Sequence, residues 1–346
     1  MEAAAGLLQQ ILSGAWEHPV IGAALVGVVF AIIFTSASLG TYFLPWLASF
    51  AFGAQDLRKK YDAQWALVTG GSSGIGKAIT KRLAAQGLNV VVAAYGDRLL
   101  EAAKVDFPKE FPGVKFRFVA VDLSTADEQV YLKPIRDVTD DIAVQVVFSN
   151  AGYIQTGLFD GSPMPVQLRN LRCNATSGAV LSHHFIQRMR KERLRGCVVF
   201  TSSPAMLTPC PLSAMYGATK AFLTELAVSV APEVVEFGID VAVLHPSPAD
   251  TGFFAKADAI GVLDFFKATA TTPDNIAATA FRLIGRRVVM DQGYYGPLMR
   301  VSDKLIDQCF MAEIVRSQAP SMADYRAIRD KATAAELAAA KSPKRD

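Results

Sequence analysis

Three side chains at close spacing set out the chemistry open to this chain. Tyr216 is followed four residues later by Lys220 and preceded thirteen residues earlier by Ser203. A helix opening at Tyr216 brings Lys220 round one turn onto the same face. An ammonium beside a phenol favours phenolate, so such a Tyr exchanges a proton with a carbonyl or alcohol oxygen near neutral pH. Ser203, on the loop ahead of that helix, is placed to hydrogen-bond the same oxygen. With a hydride donor alongside, this is the chemistry of carbonyl reduction. Tyr-x-x-x-Lys alone equally describes a helix start with a surface lysine, so the surrounding elements must decide.

Those elements offer a place for a donor. Trp65–Thr69 is a short apolar run of buried-strand type. Gly70, Gly71, Ser72, Ser73, Gly74, Ile75 and Gly76 follow, then a helix with Ile75, Ile79 and Leu83 on one face. Glycines there let a pyrophosphate approach the backbone, and the helix N-terminus offers free N–H groups. The second strand, Asn89–Ala94, runs into Tyr95, Gly96, Asp97 and Arg98. No acid stands at its tip to bind a ribose diol, and Arg98 is near enough to serve a 2′-phosphate, which favours NADP. Asp97 offsets that charge, and Arg98 equally suits a solvated helix start.

A third strand over residues 115–121 ends at Asp122, suited either to an adenine amino group or to capping a helix that begins near Ser124. A fourth, over residues 144–148, leads to Asn150, Ala151 and Gly152 at the edge where parallel sheets bind ligands. A long amphipathic helix over about residues 166–190 contains Asn174. It closes in Arg188, Arg190, Lys191, Arg193 and Arg195, which suit its C-terminus, an anionic lipid surface or a CoA phosphate. The fifth strand, residues 197–201, ends at Ser202 and Ser203; the sixth, residues 239–244, runs into His245 and Pro246. Residues 293–295 read as a short last strand. Strand and helix alternate throughout, so the fold class is α/β with a doubly wound parallel sheet. Phe253, Phe254, Ile260, Val262, Leu263, Phe265 and Phe266 suit either an apolar lid over a substrate or packed core.

No Asp, Glu, Lys or Arg stands between Glu17 and Asp56. That run exceeds the roughly 20 residues that cross a bilayer, with Trp16 and Trp46 at its flanks. The alternative is a buried hairpin. A cleaved signal or transit peptide is disfavoured, because the residues ahead carry Glu2 and no Lys or Arg. Arg58, Lys59 and Lys60 follow, which orients that end to the cytosol. Pro45 and the stretch from Trp46 to Phe52 suggest a second, interfacial segment. The organisation is therefore a membrane anchor over residues 1–55, an α/β domain over 56–320 and a polar helix and tail over 321–346. A net charge of +3 argues against nucleic acid. The four cysteines are widely spaced, as reduced thiols would be, and no metal site is expected.

In this order the motifs resemble those of the short-chain dehydrogenase/reductase family, over about residues 65–254. Thr69 to Gly76 is similar to its Thr-Gly-x-x-x-Gly-x-Gly turn. Asp122, Asn150-Ala151-Gly152, and Asn174 with Ser203, Tyr216 and Lys220 stand where the family has its adenine, nicotinamide-side and catalytic residues. The resemblance implies a Rossmann-type sheet and an NAD(P)H-dependent oxidoreductase. Tyr216 would be the general acid and Ser203 would orient the carbonyl oxygen. Lys220 would lower the Tyr pKa and bind the nicotinamide ribose, and Asn174 would hold a water linking Lys220 to solvent. Cofactor contacts are implied for Thr69, Gly70, Ser72, Ser73, Gly74, Ile75, Gly76, Arg98, Asp122, Asn150, Ala151, Gly152, Tyr216, Lys220, Pro246 and Thr251. Ser149 and Ser247 depart from the family's usual Asn and Gly.

Lys59-Lys60-Tyr61 with Trp65 to Gly70, and Gly87 to Val92, resemble the microsomal very-long-chain 3-oxoacyl-CoA reductases and their 17β-hydroxysteroid dehydrogenase relatives. Tyr95 stands where that branch carries Arg. The Gly-rich turn with Lys77 instead resembles the 3-ketosphinganine reductases; both groups are membrane-anchored and use NADPH. The reading implied is a ketoreductase of lipid metabolism, single-pass in the endoplasmic reticulum membrane with its catalytic domain in the cytosol. Its partners would be a lipid or acyl-CoA carbonyl substrate and the membrane, with NADPH as donor and NADH as the alternative. A long-chain 3-oxoacyl-CoA of fatty-acid elongation leads; 3-ketosphinganine, a keto-steroid, or a non-catalytic NADP-binding membrane scaffold are the alternatives. Homodimers are frequent in the family.

Overall fold

The computed structural model describes residues 19–254, 266 and 268–341. They fall into two compact units: the residues up to Phe52 with Lys304–Ile306, and Gly53–Asp303 with the residues from Asp307 onward.

The first unit is built on helix α1 (Pro19–Ala48), closed by a 3-10 turn at Ser49–Ala51. Its 30 residues extend about 45 Å, more than the roughly 30 Å of a hydrocarbon core. Phe30, Ile32, Ile33 and Phe34 stand exposed along it, a surface that acyl chains solvate better than water. Gly22–Ala51, with mean hydropathy 2.2, is a candidate membrane span. The stretch expected as an interfacial segment, Trp46 to Phe52, continues the same helix to Ala48 and then its 3-10 turn. Pro45 removes one N–H, and the rings of Phe43, Trp46 and Phe50 pack edge to face across it, with centroids 6.2 and 4.8 Å apart.

In the second unit, a short helix α2 (Leu57–Tyr61) leads into a seven-stranded sheet. The strands are β1 (Trp65–Thr69), β2 (Asn89–Ala94), β3 (Phe116–Ala120), β4 (Val144–Ser149), β5 (Gly196–Thr201), β6 (Ile239–His245) and β7 (Val289–Asp291). All pairings are parallel, in the order β3-β2-β1-β4-β5-β6-β7. Helices α3 (Gly74–Ala85) and α4 (Arg98–Glu110) cover one face, with Ile79, Leu83, Leu100 and Phe107 in the core. Helix α5 (Gln129–Asp137), then α6 (Met164–Leu171) and α7 (Ser177–Lys191), precede β5, and α8 (Ala214–Val234) follows it. Tyr131, Phe185 and Leu223 from α5, α7 and α8 fill the other face. Every residue of β1, β4 and β5 is buried, as a sheet covered on both sides requires. The chain returns to the first face with α9 (Pro273–Leu283), whose Ile276 and Phe281 are buried, and ends in α10 (Tyr295–Leu305), α11 (Gln308–Gln318) and α12 (Ala323–Lys341).

Several expected boundaries move. The last strand is Val289–Asp291, not residues 293–295: Gly293 has a left-handed φ of +72° and Tyr295 opens α10. No helix starts near Ser124; Asp122 caps a turn there, and α5 begins at Gln129. The long helix around Asn174 is interrupted by a π turn at Arg172–Thr176, joining α6 to α7. Within its basic end, Arg188 donates to the carbonyls of Thr139 and Ile142, and the Arg190 guanidinium lies 4.1 Å from the Phe237 ring centre. Most of the expected lid falls outside the described residues, as do residues 342–346.

Candidate active site

In a doubly wound sheet, neighbouring strands whose connections leave in opposite directions part at the carboxyl edge; here they are β1 and β4. A cleft of about 970 Å³ opens at that edge. Thr69 and Asn150 hold its floor. The Thr69 hydroxyl accepts the N–H groups of Asn150 and Ala151 at 2.9 and 3.0 Å. The Asn150 amide donates to the Thr69 carbonyl at 3.2 Å, and its Oδ1 accepts from Thr201 at 3.1 Å. The ends of β1, β4 and β5 are thus knitted together below the cleft.

The turn from β1 to α3 suits a pyrophosphate. Gly74 begins the helix at φ +52°, a conformation that favours glycine. At Gly76 a Cβ would stand 2.1 Å from the Gly70 carbonyl oxygen, so no other residue fits without moving the turn. Of the residues expected to hold a cofactor, Gly70, Ser72, Ser73, Gly74, Ile75, Asp122, Asn150, Ala151, Gly152, Tyr216, Lys220, Pro246 and Thr251 line the cleft. Thr69, Gly76 and Arg98 are not among its lining residues: the first two are buried beneath it and Arg98 is exposed. Tyr95, Asp97 and Leu99 line it instead, and the Asp97 carboxylate caps α4 by accepting from Leu99 and Leu100. Asp122 accepts from both the N–H and hydroxyl of Ser124, at 2.9 and 2.6 Å, and lies 3.5 Å from the guanidinium of Arg169.

Ser203, Tyr216, Lys220 and Asn174 come together beside this floor. Ser203 caps the 3-10 turn Pro204–Met206, accepting from Ala205 at 3.2 Å, and its side chain also hydrogen-bonds the Tyr216 phenol. Tyr216 and Lys220 are both buried on α8, with the Lys220 ammonium 5.5 Å from the Tyr216 ring centre. That ammonium donates to the Thr201 carbonyl at 2.9 Å. Asn174 lies on the π turn, a feature frequent at functional sites. Its Oδ1 accepts the N–H of Tyr153 at 2.9 Å and its Nδ2 donates to the Tyr153 carbonyl at 2.8 Å. A Cβ on Gly152 would lie 3.1 Å from the Asn174 Oδ1 and 3.5 Å from the Lys220 ammonium. Gly152 therefore stands between these two groups.

The electrostatics correct one expectation. Burial pushes the Tyr216 phenol above its ordinary value, opposed by its hydrogen bond to Ser203. Burial also brings Lys220 down to about 8, so its charge is itself weakened near neutral pH. The phenol is thereby kept protonated, as a proton donor requires.

Spacing did not mark every residue of the cleft. Cys210, Phe253, Phe266 and Tyr295 line its side next to Tyr216, and Ala319, Met322, Asp324 and Tyr325 arrive from the C-terminal helices. The Phe253 ring meets Tyr216 edge to face at 5.9 Å. The two departures in the motifs have structural uses. Ser149 lies outside the cleft lining and points toward Gly178 of α7, where a Cβ would stand 2.9 Å from its hydroxyl. Ser247 donates to the Gln292 carbonyl at 2.7 Å and accepts from the Tyr295 N–H at 3.0 Å, fastening the loop after β6.

Residues 64–259 match the short chain dehydrogenase family. The chain is 30% identical over 252 residues to a very-long-chain 3-oxoacyl-CoA reductase-like protein of Arabidopsis thaliana, covering 71% of this chain and 79% of that one. It is 30% identical over 229 residues to the very-long-chain 3-oxoacyl-CoA reductase of Schizosaccharomyces pombe, covering 63% and 65%. A human protein named inactive hydroxysteroid dehydrogenase-like protein 1 matches at 29% identity over 219 residues, covering 63% and 64%. Among solved structures, a 7β-hydroxysteroid dehydrogenase superposes with a TM-score of 0.66 at 23% identity, over 76% of this chain and 99% of its own. A short-chain dehydrogenase of Sphingobium yanoikuyae in complex with NADPH gives 0.59 at 25% identity, over 66% and 87%.

Proposed function

The chain belongs to the short-chain dehydrogenase family, a nicotinamide-dependent oxidoreductase acting on an alcohol–carbonyl pair, and from there we propose that it is a membrane-anchored ketoreductase reducing long-chain 3-oxoacyl-CoA to 3-hydroxyacyl-CoA in fatty-acid elongation. The observation that carries the chemistry is the clustering of Ser203 with the buried Tyr216 and Lys220 beside the glycine turn. The choice of substrate is supported by the names of the relatives.

A nicotinamide dinucleotide bound along Gly70–Gly76, Asp122 and Asn150–Gly152 would supply the hydride. Tyr216, kept protonated by burial, donates its proton to the carbonyl oxygen. Ser203 donates a second hydrogen bond to that oxygen and so holds it against the phenol. Lys220 would hold the ribose hydroxyls of the bound dinucleotide, and its ammonium would balance the charge left as the phenol loses its proton. Asn174, fixed by both main-chain groups of Tyr153, would hold a water that passes a proton from solvent to Lys220. NADPH as the donor rests on the resemblance to NADPH-using reductases, because Arg98 lies outside the cleft lining and Asp97 is within it. A tighter Kd for NADH than for NADPH would overturn that choice.

The architecture proposed is an anchor over residues 1–55, a catalytic domain over 56–320 and a C-terminal segment over 321–346. Helix α1 supports a single pass, and Arg58, Lys59 and Lys60 support a cytosolic domain on the endoplasmic reticulum membrane. The human relative named inactive favours a second reading, a non-catalytic NADP-binding scaffold. Purified protein in detergent, assayed with NADPH against 3-oxoacyl-CoAs, 3-ketosphinganine and keto-steroids, separates these. Reduction of the 3-oxoacyl-CoAs is expected; consumption of NADPH with none of them would sink the enzyme reading.

A further inference from the structure

Behind Lys220 lies a buried polar chain that the proposed chemistry does not use. Lys220 is held at both ends by the tip of β5: its ammonium donates to the Thr201 carbonyl, and its own main-chain carbonyl accepts the Ser202 hydroxyl at 2.7 Å. The Ser202 hydroxyl lies 2.9 Å from that of Thr224, one turn further along α8. Thr224 lies 2.9 Å from Nε2 of His245, at the end of β6. Nδ1 of His245 lies 2.7 Å from Asp291 on β7, and Arg300 of α10 reaches both Asp291 oxygens at 3.3 and 3.4 Å. Ser202, Thr224, His245 and Asp291 are all buried.

The direction of this chain follows from counting protons. A hydroxyl has one proton to give. Ser202 gives its own to the Lys220 carbonyl, so it must accept from Thr224; Thr224 must then accept from His245, and Nε2 carries a proton. A bare Nδ1 accepting from Arg300, 3.3 Å away, would set its lone pair against the Asp291 oxygen at 2.7 Å. One proton therefore lies between Nδ1 and Asp291. Burial works against both charges. Even so, the bonds to His245 and Arg300 hold the Asp291 carboxyl below the usual carboxylate range. Burial likewise holds the His245 imidazole below its ordinary value, so the geometry fixes a proton on Nε2 and a proton shared along the contact with Asp291.

We propose that His245 is a positioning residue: a buried imidazole, protonated at Nε2 and clamped by Asp291, that through Thr224 and Ser202 fixes the main chain of Lys220 and the strand end that carries Ser203. The proposal rests on the reductase reading above. A buried donor chain with every member satisfied is rigid, and losing one link leaves its neighbours unpaired. A shift of about 1 Å at Lys220 is enough to misplace a proton path.

The test uses full-length protein in detergent. Thr224→Val cuts the chain while keeping the side-chain shape, and Thr224→Ser restores the hydroxyl. Thr224→Val is expected to lower kcat about tenfold per cofactor-binding site, with KM for the carbonyl substrate unchanged within twofold; Thr224→Ser is expected to recover kcat to within twofold. Wild-type kcat in Thr224→Val, or no recovery in Thr224→Ser, would overturn the proposal. A second readout needs no activity. The chain has four histidines, so nitrogen-15 labelling resolves His245, assigned by its loss in His245→Asn. A proton on Nε2 at neutral pH is the expected result, and a bare Nε2 overturns the donor direction. Inactive wild-type protein with His245 protonated at Nε2 would instead count against the reductase reading alone.

Discussion

Replacing Tyr216 by Phe isolates the proton donor. The ring is buried on α8, packed edge to face against Phe253 at 5.9 Å, and both contacts survive the change. What is lost is one hydroxyl, whose partner in the structure is Ser203. Ser203 still accepts the Ala205 N–H at 3.2 Å, so it is not left without a bond. The stability cost is that of one neutral hydrogen bond, about 1 kcal/mol, or a fall in Tm of roughly 2–4 °C for a domain of this size. The kinetic cost is that of a general acid, about 100- to 10,000-fold in kcat, equivalent to roughly 2.7–5.4 kcal/mol of barrier. The glycine turn and Lys220 are untouched, so the cofactor Kd is expected to stay within about twofold. Decay of reduced-nicotinamide absorbance measures kcat, cofactor fluorescence measures Kd, and a thermal melt measures Tm. Turnover above a tenth of wild type would refute the assignment of Tyr216 as donor. A large rise in cofactor Kd would refute the separation of binding from chemistry.

Other perturbations test the turn, the buried charges and the anchor. Gly76→Ala sets a Cβ 2.1 Å from the Gly70 carbonyl oxygen, so we expect a loss of about 1–3 kcal/mol and of cofactor binding; native-like NADPH affinity would show that the turn is not the binding element. Lys220 titrates near 8 when folded, against roughly 10.4 in an unfolded chain, so between these values the unfolded chain binds more protons and stability rises with pH. The raised thiols of Cys173, Cys197 and Cys210, and above about pH 10 the raised phenol of Tyr216, oppose that rise, because the unfolded chain loses those protons first. The urea midpoint of cofactor-free wild type relative to that of Lys220→Met should therefore climb from pH 7 to 9.5, and a difference that falls across this range contradicts the sign. Removing residues 1–55 should leave a folded reductase that no longer sediments with carbonate-washed membranes, and continued sedimentation would mean that α1 is not the sole anchor.

What the sequence by itself determined is local. Strands such as Trp65–Thr69 are continuous apolar runs because both faces are covered, and helices such as Gly74–Ala85 show their period in Ile75, Ile79 and Leu83. The glycine turn between them is legible because few residues other than glycine adopt its geometry. Tyr216 and Lys220 are one helical turn apart, so their pairing is visible in the spacing alone. Residues with no short-range constraint were read less well. The last strand was misplaced because Val289–Asp291 is only three residues long and is held in the sheet by β6. Arg98 looked suited to a phosphate, yet the cap that Asp97 places on α4 leaves Arg98 outside the cleft lining. The tertiary structure alone decided the protonation of Tyr216, since burial is set by Phe253, Tyr295 and the loops packed over it. It alone brought Ala319, Met322, Asp324 and Tyr325 to the cleft and joined His245 to Asp291 and Lys220. Those contacts span tens to more than a hundred residues of chain, and no spacing rule reaches that far.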